Sequence, residues 1–307
     1  MKIAIIGLGY WGEIILRTIQ GFKKKINYLC VVDKNPSQRK KAQSYRVSFS
    51  NNLKQLLPKI EAAIIATPEN THYLLAKECL LAKKHVLVEK PLSLKYQEAQ
   101  ELVKIAKKNR LILMVDHTFL FDRSFLTIKK EIEKGRIGKL LKIDSFRFSL
   151  NIIKPFTNAI IDLFPHDLAL FSNLMKESPK VINVNRQKLL NKEDDSAHIV
   201  LKFGSVTTNS FLSWTYPFSR REMIFYGVKG VICWQKKDGN SDLLSFFEYR
   251  QKKVILKQEL EIGEKSKTLD FVLAEFFNSV KCGKKPKADG EKVLPQIKIL
   301  EQVLKKA

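Results

Sequence analysis

The chain has 307 residues, 45% of them hydrophobic, which suits two domains with real cores and excludes wholesale disorder. No apolar run approaches the about 20 residues that cross a bilayer, and the first run, Ile3–Ile6, is too short for the core of a secretory leader. A cytoplasmic location with no membrane partner is therefore expected. The net charge of +24 divides evenly, +12 on either side of residue 120. Without a basic arm or tail, this charge reads as solvated surface and not as a specific nucleic-acid site.

Residues 1–116 alternate short apolar runs with amphipathic stretches. The runs are Ile3–Ile6, Tyr28–Val32, Ala62–Ala66, Val86–Val88 and Leu111–Val115. They are short, β-branched and apolar on both faces, as buried parallel strands are. Between the last two, Ala99, Leu102, Val103 and Ala106 fall at helical spacing, and Ser93 is placed to cap that helix. Asn70 similarly precedes a helix carrying Leu74 and Leu75. Such alternation predicts an α/β domain with a doubly wound parallel sheet. The clusters Lys23–Lys25 and Lys83–Lys84 sit where helices should end, where cations complement the helix dipole.

Past residue 120 the pattern changes. A helix is predicted over Phe125–Lys134, a strand over Leu140–Phe148 and a helix over Ala159–Met175. Successive strands then follow: Ala197–Phe203, Ser205–Trp214, Glu222–Tyr226, Val231–Gln235, Leu243–Tyr249 and Val254–Leu260. Consecutive strands with short turns make an antiparallel sheet. Two helices close the chain, one presenting Leu269, Val272, Leu273, Phe276, Phe277 and Val280 on one face. The expected domains are 1–120 and 121–307, with the last helix, 291–305, free to pack back on the first. Cys30, Cys79, Cys233 and Cys282 show no paired spacing, which predicts neither a disulfide framework nor a metal site.

Gly7-Leu8-Gly9-Tyr10-Trp11-Gly12 is a G-x-G-x-x-G run that directly follows the first strand and opens the first helix, the context that gives this motif meaning. Gly7 allows the tight turn, Gly9 lets the backbone approach a pyrophosphate, and Gly12 lets helix and strand pack closely. The phosphates then sit on free N–H groups at the helix start, beside Tyr10 and Trp11. Asp33 ends the second strand, where a carboxylate takes the adenosine ribose hydroxyls and disfavours a 2′-phosphate. The expected cofactor is NAD. Lys34 and Arg39 stand close enough in sequence to leave NADP open.

The runs Ile65-Ala66-Thr67-Pro68-Glu69-Asn70-Thr71-His72 and Val88-Glu89-Lys90-Pro91 resemble the Gfo/Idh/MocA oxidoreductases. The likeness continues through Val115-Asp116-His117-Thr118-Phe119, Gly135-Arg136-Ile137-Gly138 and Asp162-Leu163-Phe164-Pro165-His166-Asp167 to the final helix. It implies a Rossmann domain followed by an α+β domain with a large open, mostly antiparallel sheet. It also implies catalytic roles for Lys90, Asp162 and His166. Thr67, Pro68, His72, Glu89 and Lys90 join the glycine turn, Asp33 and Lys34 around the cofactor. His117, Lys154 and Arg221 are assigned to the substrate. Thr157-Asn158-Ala159 and Phe164-Pro165 stand where the family often has glycines, which narrows the expected pocket.

The chemistry agrees with the resemblance. An imidazole suits the removal of a hydroxyl proton, and Asp162 and His166, at i and i+4, share one helical face. Lys90 can hydrogen-bond a substrate oxygen where negative charge develops. The Asp-Leu-x-Pro-His-Asp form and Ser213-Trp214-x-x-Pro217-x-x-x-Arg221 resemble the subgroup acting on nucleotide-linked sugars in polysaccharide synthesis. The reading is thus an NAD(P)-dependent dehydrogenase or reductase of a sugar, working as a homo-oligomer, a dimer or tetramer. An inositol or free-sugar dehydrogenase is the alternative within the enzyme class. A non-catalytic NAD-binding regulator is the alternative outside it, although a sensor has no need of a proton acceptor.

Overall fold

The computed structural model describes residues 1–150, 157–175, 177–190, 192–236, 242–250, 253–262 and 267–306. The chain divides into two compact units, Met1–Thr118 with Lys267–Lys298, and Phe119–Ser266 with Ile299–Ala307.

In the first unit the elements run β1 (Lys2–Ile6), α1 (Tyr10–Ile19), β2 (Tyr28–Val32), α2 (Gln38–Ser44), β3 (Ser48–Ser50), α3 (Leu53–Leu56), β4 (Ala62–Ile65), α4 (His72–Leu81), β5 (His85–Glu89), α5 (Tyr96–Lys108) and β6 (Leu113–Asp116). The strands form one parallel sheet in the order β3-β2-β1-β4-β5-β6. The order reverses beside β1, which makes the crevice between β1 and β4 the switch point where doubly wound sheets bind ligands. Every residue of β4 and β6 is buried, as expected of strands covered on both faces. The short, polar strand β3 was not among the predicted runs, because Ser48-Phe49-Ser50 carries little apolar signal.

Two helix starts differ from expectation. The N-cap of α5 is Lys95, with no side-chain cap bond. Ser93 instead accepts the Lys95 N–H and donates to Glu98, so it closes a turn just before the helix. Likewise α4 starts at His72, after a short 3-10 turn over Glu69–Thr71 that contains Asn70.

Beyond the second sheet, α8 (Thr268–Cys282) belongs to the first unit, and α9 (Gly290–Lys305) begins there. Phe277 of α8 packs edge-on against Phe22. Val293 and Ile297 join the apolar cluster that holds Leu102, Val103 and Val115. The turn before α9 covers the outer strand of the sheet: Ala288 O accepts from Val115 N at 2.9 Å, and Asp289 bridges Met114. A free strand edge would otherwise present unpaired N–H and C=O groups.

The second unit contains α6 (Arg123–Glu133), β7 (Leu140–Leu150), α7 (Ala159–Leu174), β8 (Lys180–Gln187), β9 (Ser196–Phe203), β10 (Val206–Ser213), β11 (Thr215–Gly227), β12 (Gly230–Lys236), β13 (Asp242–Arg250) and β14 (Lys253–Glu259). Its eight strands lie in the order β14-β13-β12-β11-β7-β10-β9-β8. All neighbours are antiparallel except β7 and β10. Helix α7 packs on β9 and β10. Its start is fixed by Asn158, whose side chain accepts the Ile161 N–H at 2.9 Å. Pro165 sits inside α7 and cannot supply the N–H that would bond the Ile161 carbonyl.

Because α7 carries Asp162 and His166, its cap bears on the site. Asn158→Ala should destabilise the second unit by about 1 kcal/mol, and Asn158→Asp should restore most of the loss. Native-state hydrogen exchange at the Ile161 amide measures both. Unchanged protection in Asn158→Ala would show that the cap contributes nothing.

Candidate active site

In the first unit the glycine turn is built by steric necessity. Gly7 has φ +93°, and its N–H donates to Val32 O at 2.8 Å. A Cβ on Gly12 would lie 2.0 Å from the Gly7 carbonyl oxygen, so only glycine allows α1 to meet β1 this closely. A Cβ on Gly9 would meet nothing within 4 Å. Gly9 is also the N-cap of α1 and offers no side-chain cap, and the first-turn N–H groups of a helix have no intrahelical partner. The free donors and the space fit a pyrophosphate. Asp33 is held at the end of β2: its Oδ2 accepts the Leu8 N–H at 2.7 Å and its Oδ1 the Asn35 N–H at 2.8 Å. Each oxygen keeps a further lone pair for a hydroxyl. Lys34 is exposed, and Arg39 lies over the Phe49 ring. Tyr10 is exposed, whereas the Trp11 indole N–H turns back to Asp116 Oδ2 at 3.3 Å.

Three further turns flank this one at the same edge of the sheet. Thr67 Oγ1 bonds Thr71 Oγ1 at 2.6 Å, next to Pro68. His72 is buried, with Nδ1 2.8 Å from Pro91 O and Nε2 2.8 Å from Thr67 O. Desolvation pushes its pKa down and the two carbonyls act against that. His72 thereby ties the turn of Thr67 and Pro68 to the turn of Glu89 and Lys90. Glu89 and Asp116 end adjacent strands in direct register. His117 follows, buried, with no hydrogen-bond partner on either ring nitrogen among the described residues, and desolvation lowers its pKa to about 3. It is a neutral imidazole with an open donor and an open acceptor.

In the second unit Asp162 and His166 lie half-buried on α7. The His166 ring packs edge-on against Phe119 at 4.9 Å. Phe119 is held in turn by the Arg147 guanidinium, 4.7 Å from its centroid, and Arg147 forms a buried ion pair with Asp167, the neighbour of His166. Phe119 lines a shallow cleft together with Arg147, Arg221, Met223, Trp234 and Lys236. Lys236 pairs with Asp122 at 3.0 Å. Arg221, read from the sequence as a substrate group, is therefore in the cleft wall, while Lys154 lies outside the described residues. Of the holding residues, Phe119 and Asp167 stand inside the quoted motifs, whereas Arg147 was not singled out in the sequence. No cluster of potential metal ligands occurs among the described residues.

The comparisons with known proteins identify the family. Residues 1–117 match the model of the oxidoreductase family with an NAD-binding Rossmann fold, and residues 125–233 match the GFO/IDH/MocA C-terminal domain. The chain belongs to the Gfo/Idh/MocA oxidoreductase family. It is 27% identical to myo-inositol 2-dehydrogenase of Thermotoga maritima, over 95% of this chain and 91% of that protein. Its fold matches UDP-N-acetylglucosamine 3-dehydrogenase GnnA of Acidithiobacillus ferrooxidans, with a TM-score of 0.84, 20% identity, and 99% and 96% of the two chains covered. It also matches KijD10, a 3-ketoreductase of Actinomadura kijaniata in complex with TDP-benzene and NADP, with a TM-score of 0.86, 16% identity, and 99% and 97% covered. Among the described residues no helix is long and apolar enough to cross a membrane.

The two glycines give opposite expectations in one family-defining turn. Gly9→Val should leave the thermal melting point and circular dichroism near those of the parent, yet weaken NADH binding at least about tenfold by filling the phosphate space. Gly12→Val should fail to fold, because its Cβ collides with the Gly7 carbonyl. Equal loss of fold in both variants would refute the assignment of Gly9 to the cofactor.

Proposed function

We propose that this protein is an NAD(P)-dependent dehydrogenase or reductase acting on a secondary alcohol or ketone carbon of a sugar, and that the sugar is nucleotide-linked. The observation that carries the reading is the Asp162–His166 pair on one face of α7, with the His166 ring against Phe119 at the wall of the cleft. The bound nicotinamide supplies the hydride acceptor or donor. His166 takes the hydroxyl proton during oxidation and returns it during reduction. Asp162, one turn earlier, orients the imidazole or holds a substrate hydroxyl. The Lys90 ammonium donates a hydrogen bond to the reacting oxygen and stabilises its developing negative charge.

The cleft's chemistry supports the substrate class. Phe119 and Trp234 offer flat apolar faces of the kind that pack on sugar rings or bases, and Arg221 and Lys236 bring cations suited to a phosphate. The similar folds of a UDP-sugar dehydrogenase and of a ketoreductase bound to a TDP ligand point the same way. A cyclic polyol is the second reading, favoured by the full-length likeness to an inositol dehydrogenase. A thermal-shift screen of the NADH-saturated protein against nucleotide sugars and free polyols separates the two. The open sheet of the second unit supports assembly as a dimer or tetramer, which sedimentation velocity tests.

For the cofactor, the fixed Asp33 carboxylate opposes a 2′-phosphate, so NADH should bind more tightly than NADPH. Fluorescence titration with both reduced cofactors decides this. Clearly tighter NADPH binding would overturn the preference and move attention to Lys34 and Arg39.

His166→Asn keeps a polar side chain of similar reach and removes the base. Its kcat should fall by about 10²–10⁴-fold, while NADH binding persists because the glycine turn and Asp33 are untouched. Asp162→Asn should lose less if it only orients. Near-parental kcat in His166→Asn across about pH 6–9 would reduce His166 to a packing residue and return the search for a base to Lys90 and His117.

A further inference from the structure

Two carboxyl groups face each other at the ends of β5 and β6. Glu89 and Asp116 are register partners on adjacent parallel strands, which stand about 4.8 Å apart, so the two carboxyl groups leave the sheet side by side. The outer oxygen of each is accounted for by an ordinary donor. Glu89 Oε2 accepts the Lys90 N–H at 3.1 Å, and Asp116 Oδ2 accepts the Trp11 indole N–H at 3.3 Å. The remaining oxygens, Glu89 Oε1 and Asp116 Oδ1, are buried and have no donor among the described residues. These two oxygens can satisfy each other only if one of the carboxyl groups carries a proton, because two carboxylates have none to give.

We propose that Glu89 and Asp116 share one proton, forming a singly charged pair of one acid and one carboxylate that positions Lys90 and Trp11 at the cofactor edge of the sheet. The proton resides chiefly on Glu89, since burial and the neighbouring Asp116 raise its affinity well above the usual carboxylate range. Asp116 is raised by burial and lowered by its bonds to Glu89 and Trp11. The other titratable groups about the pair, among the described residues, are Lys90, whose charge lowers both acids, and His117, kept neutral by desolvation. With the proton in place the pair carries a single negative charge opposite the Lys90 ammonium. Without it, two buried like charges repel across the strand ends, and the bonds to Trp11 and to the Lys90 backbone lose their fixed acceptors. Glu89 and Asp116 are positioning residues here: the pair acts on the site through Lys90 and through the first turn of α1.

The sign of the pH effect follows from linkage. The folded chain holds a proton that the unfolded chain releases once pH passes the ordinary glutamate range. Stability is therefore lost as pH rises from that range toward the raised pKa of the folded pair. Glu89→Gln replaces the proton by an amide N–H and should remove this loss. Asp116→Asn should do the same with the donor reversed.

The test has two independent readouts on the full chain. Infrared difference spectra of the ligand-free protein at neutral pH should show a protonated-carboxyl C=O band that is absent from both Glu89→Gln and Asp116→Asn. Thermal melting against pH should show the parent losing stability with rising pH relative to both amide variants. The difference should correspond to about one proton per chain. NADH titrations add a third arm, which rests on the cofactor reading: affinity should fall with rising pH in the parent and stay flat in Glu89→Gln. Absence of the infrared band, or melting profiles that run parallel in parent and variants, would overturn the proposal. If those two readouts hold while NADH affinity is flat in every protein, the pair is a structural acid dimer and its positioning role fails.

Discussion

The closeness of α1 to the end of β1 is the constraint from which the nucleotide end of this molecule is built. With Gly12 lying against the Gly7 carbonyl, the glycine turn and the first turn of the helix reach two other strands. Leu8 N bonds Asp33 at the end of β2, and the Trp11 indole bonds Asp116 at the end of β6. A single backbone contact thus fixes carboxylates on both sides of the sheet's switch point. A side chain at position 12 would push the helix outward and loosen both anchors together. Gly9, three residues earlier, bears no such load, which leaves it available for a ligand.

Polar groups gather at that edge because the strands are buried and their ends are not filled by apolar side chains. Asp116, His72 and His117 are among the buried polar residues of the first unit, and each faces the cost of desolvation. They meet it differently. His72 takes two backbone carbonyls, Asp116 takes an indole N–H, and His117 has no hydrogen-bond partner among the described residues. An unsatisfied buried imidazole is uncommon in a finished interior, and a group left in this state suits contact with a bound molecule. The second unit uses another device. The buried Arg147–Asp167 pair spans from β7 to α7, and its guanidinium backs Phe119, which backs His166. Removing either partner would strand a buried charge and free the imidazole's packing surface.

Much of this was legible in the sequence where a periodic signal or a tight spacing exists. The apolar runs gave β1, β2 and β4–β6, the helical spacing gave α5, and G-x-G-x-x-G located the glycine turn between β1 and α1. Polar or short elements carried no such signal. Strand β3 is three residues, and β8 alternates polar residues over a mostly exposed surface, so neither stood out as a separate run. Capping roles were misread at Ser93, where a serine two residues upstream of the true N-cap competes for the same backbone donors.

By itself the sequence determined the class of each domain, the position of the dinucleotide turn and the helical facing of Asp162 and His166. These depend on residues within one or two turns of each other, and local geometry dictates them. Tertiary structure alone decided which distant residues become neighbours. Residues 288–289 seal the outer strand of the first sheet, although the chain reaches them only after the whole second sheet. Glu89 and Asp116, 27 positions apart in the numbering, become partners because β5 and β6 pair in one register. Arg147 finds Asp167 because α7 crosses its sheet where it does. No spacing in the chain encodes these meetings; they follow from strand order, and strand order is settled only when all the buried faces are satisfied together.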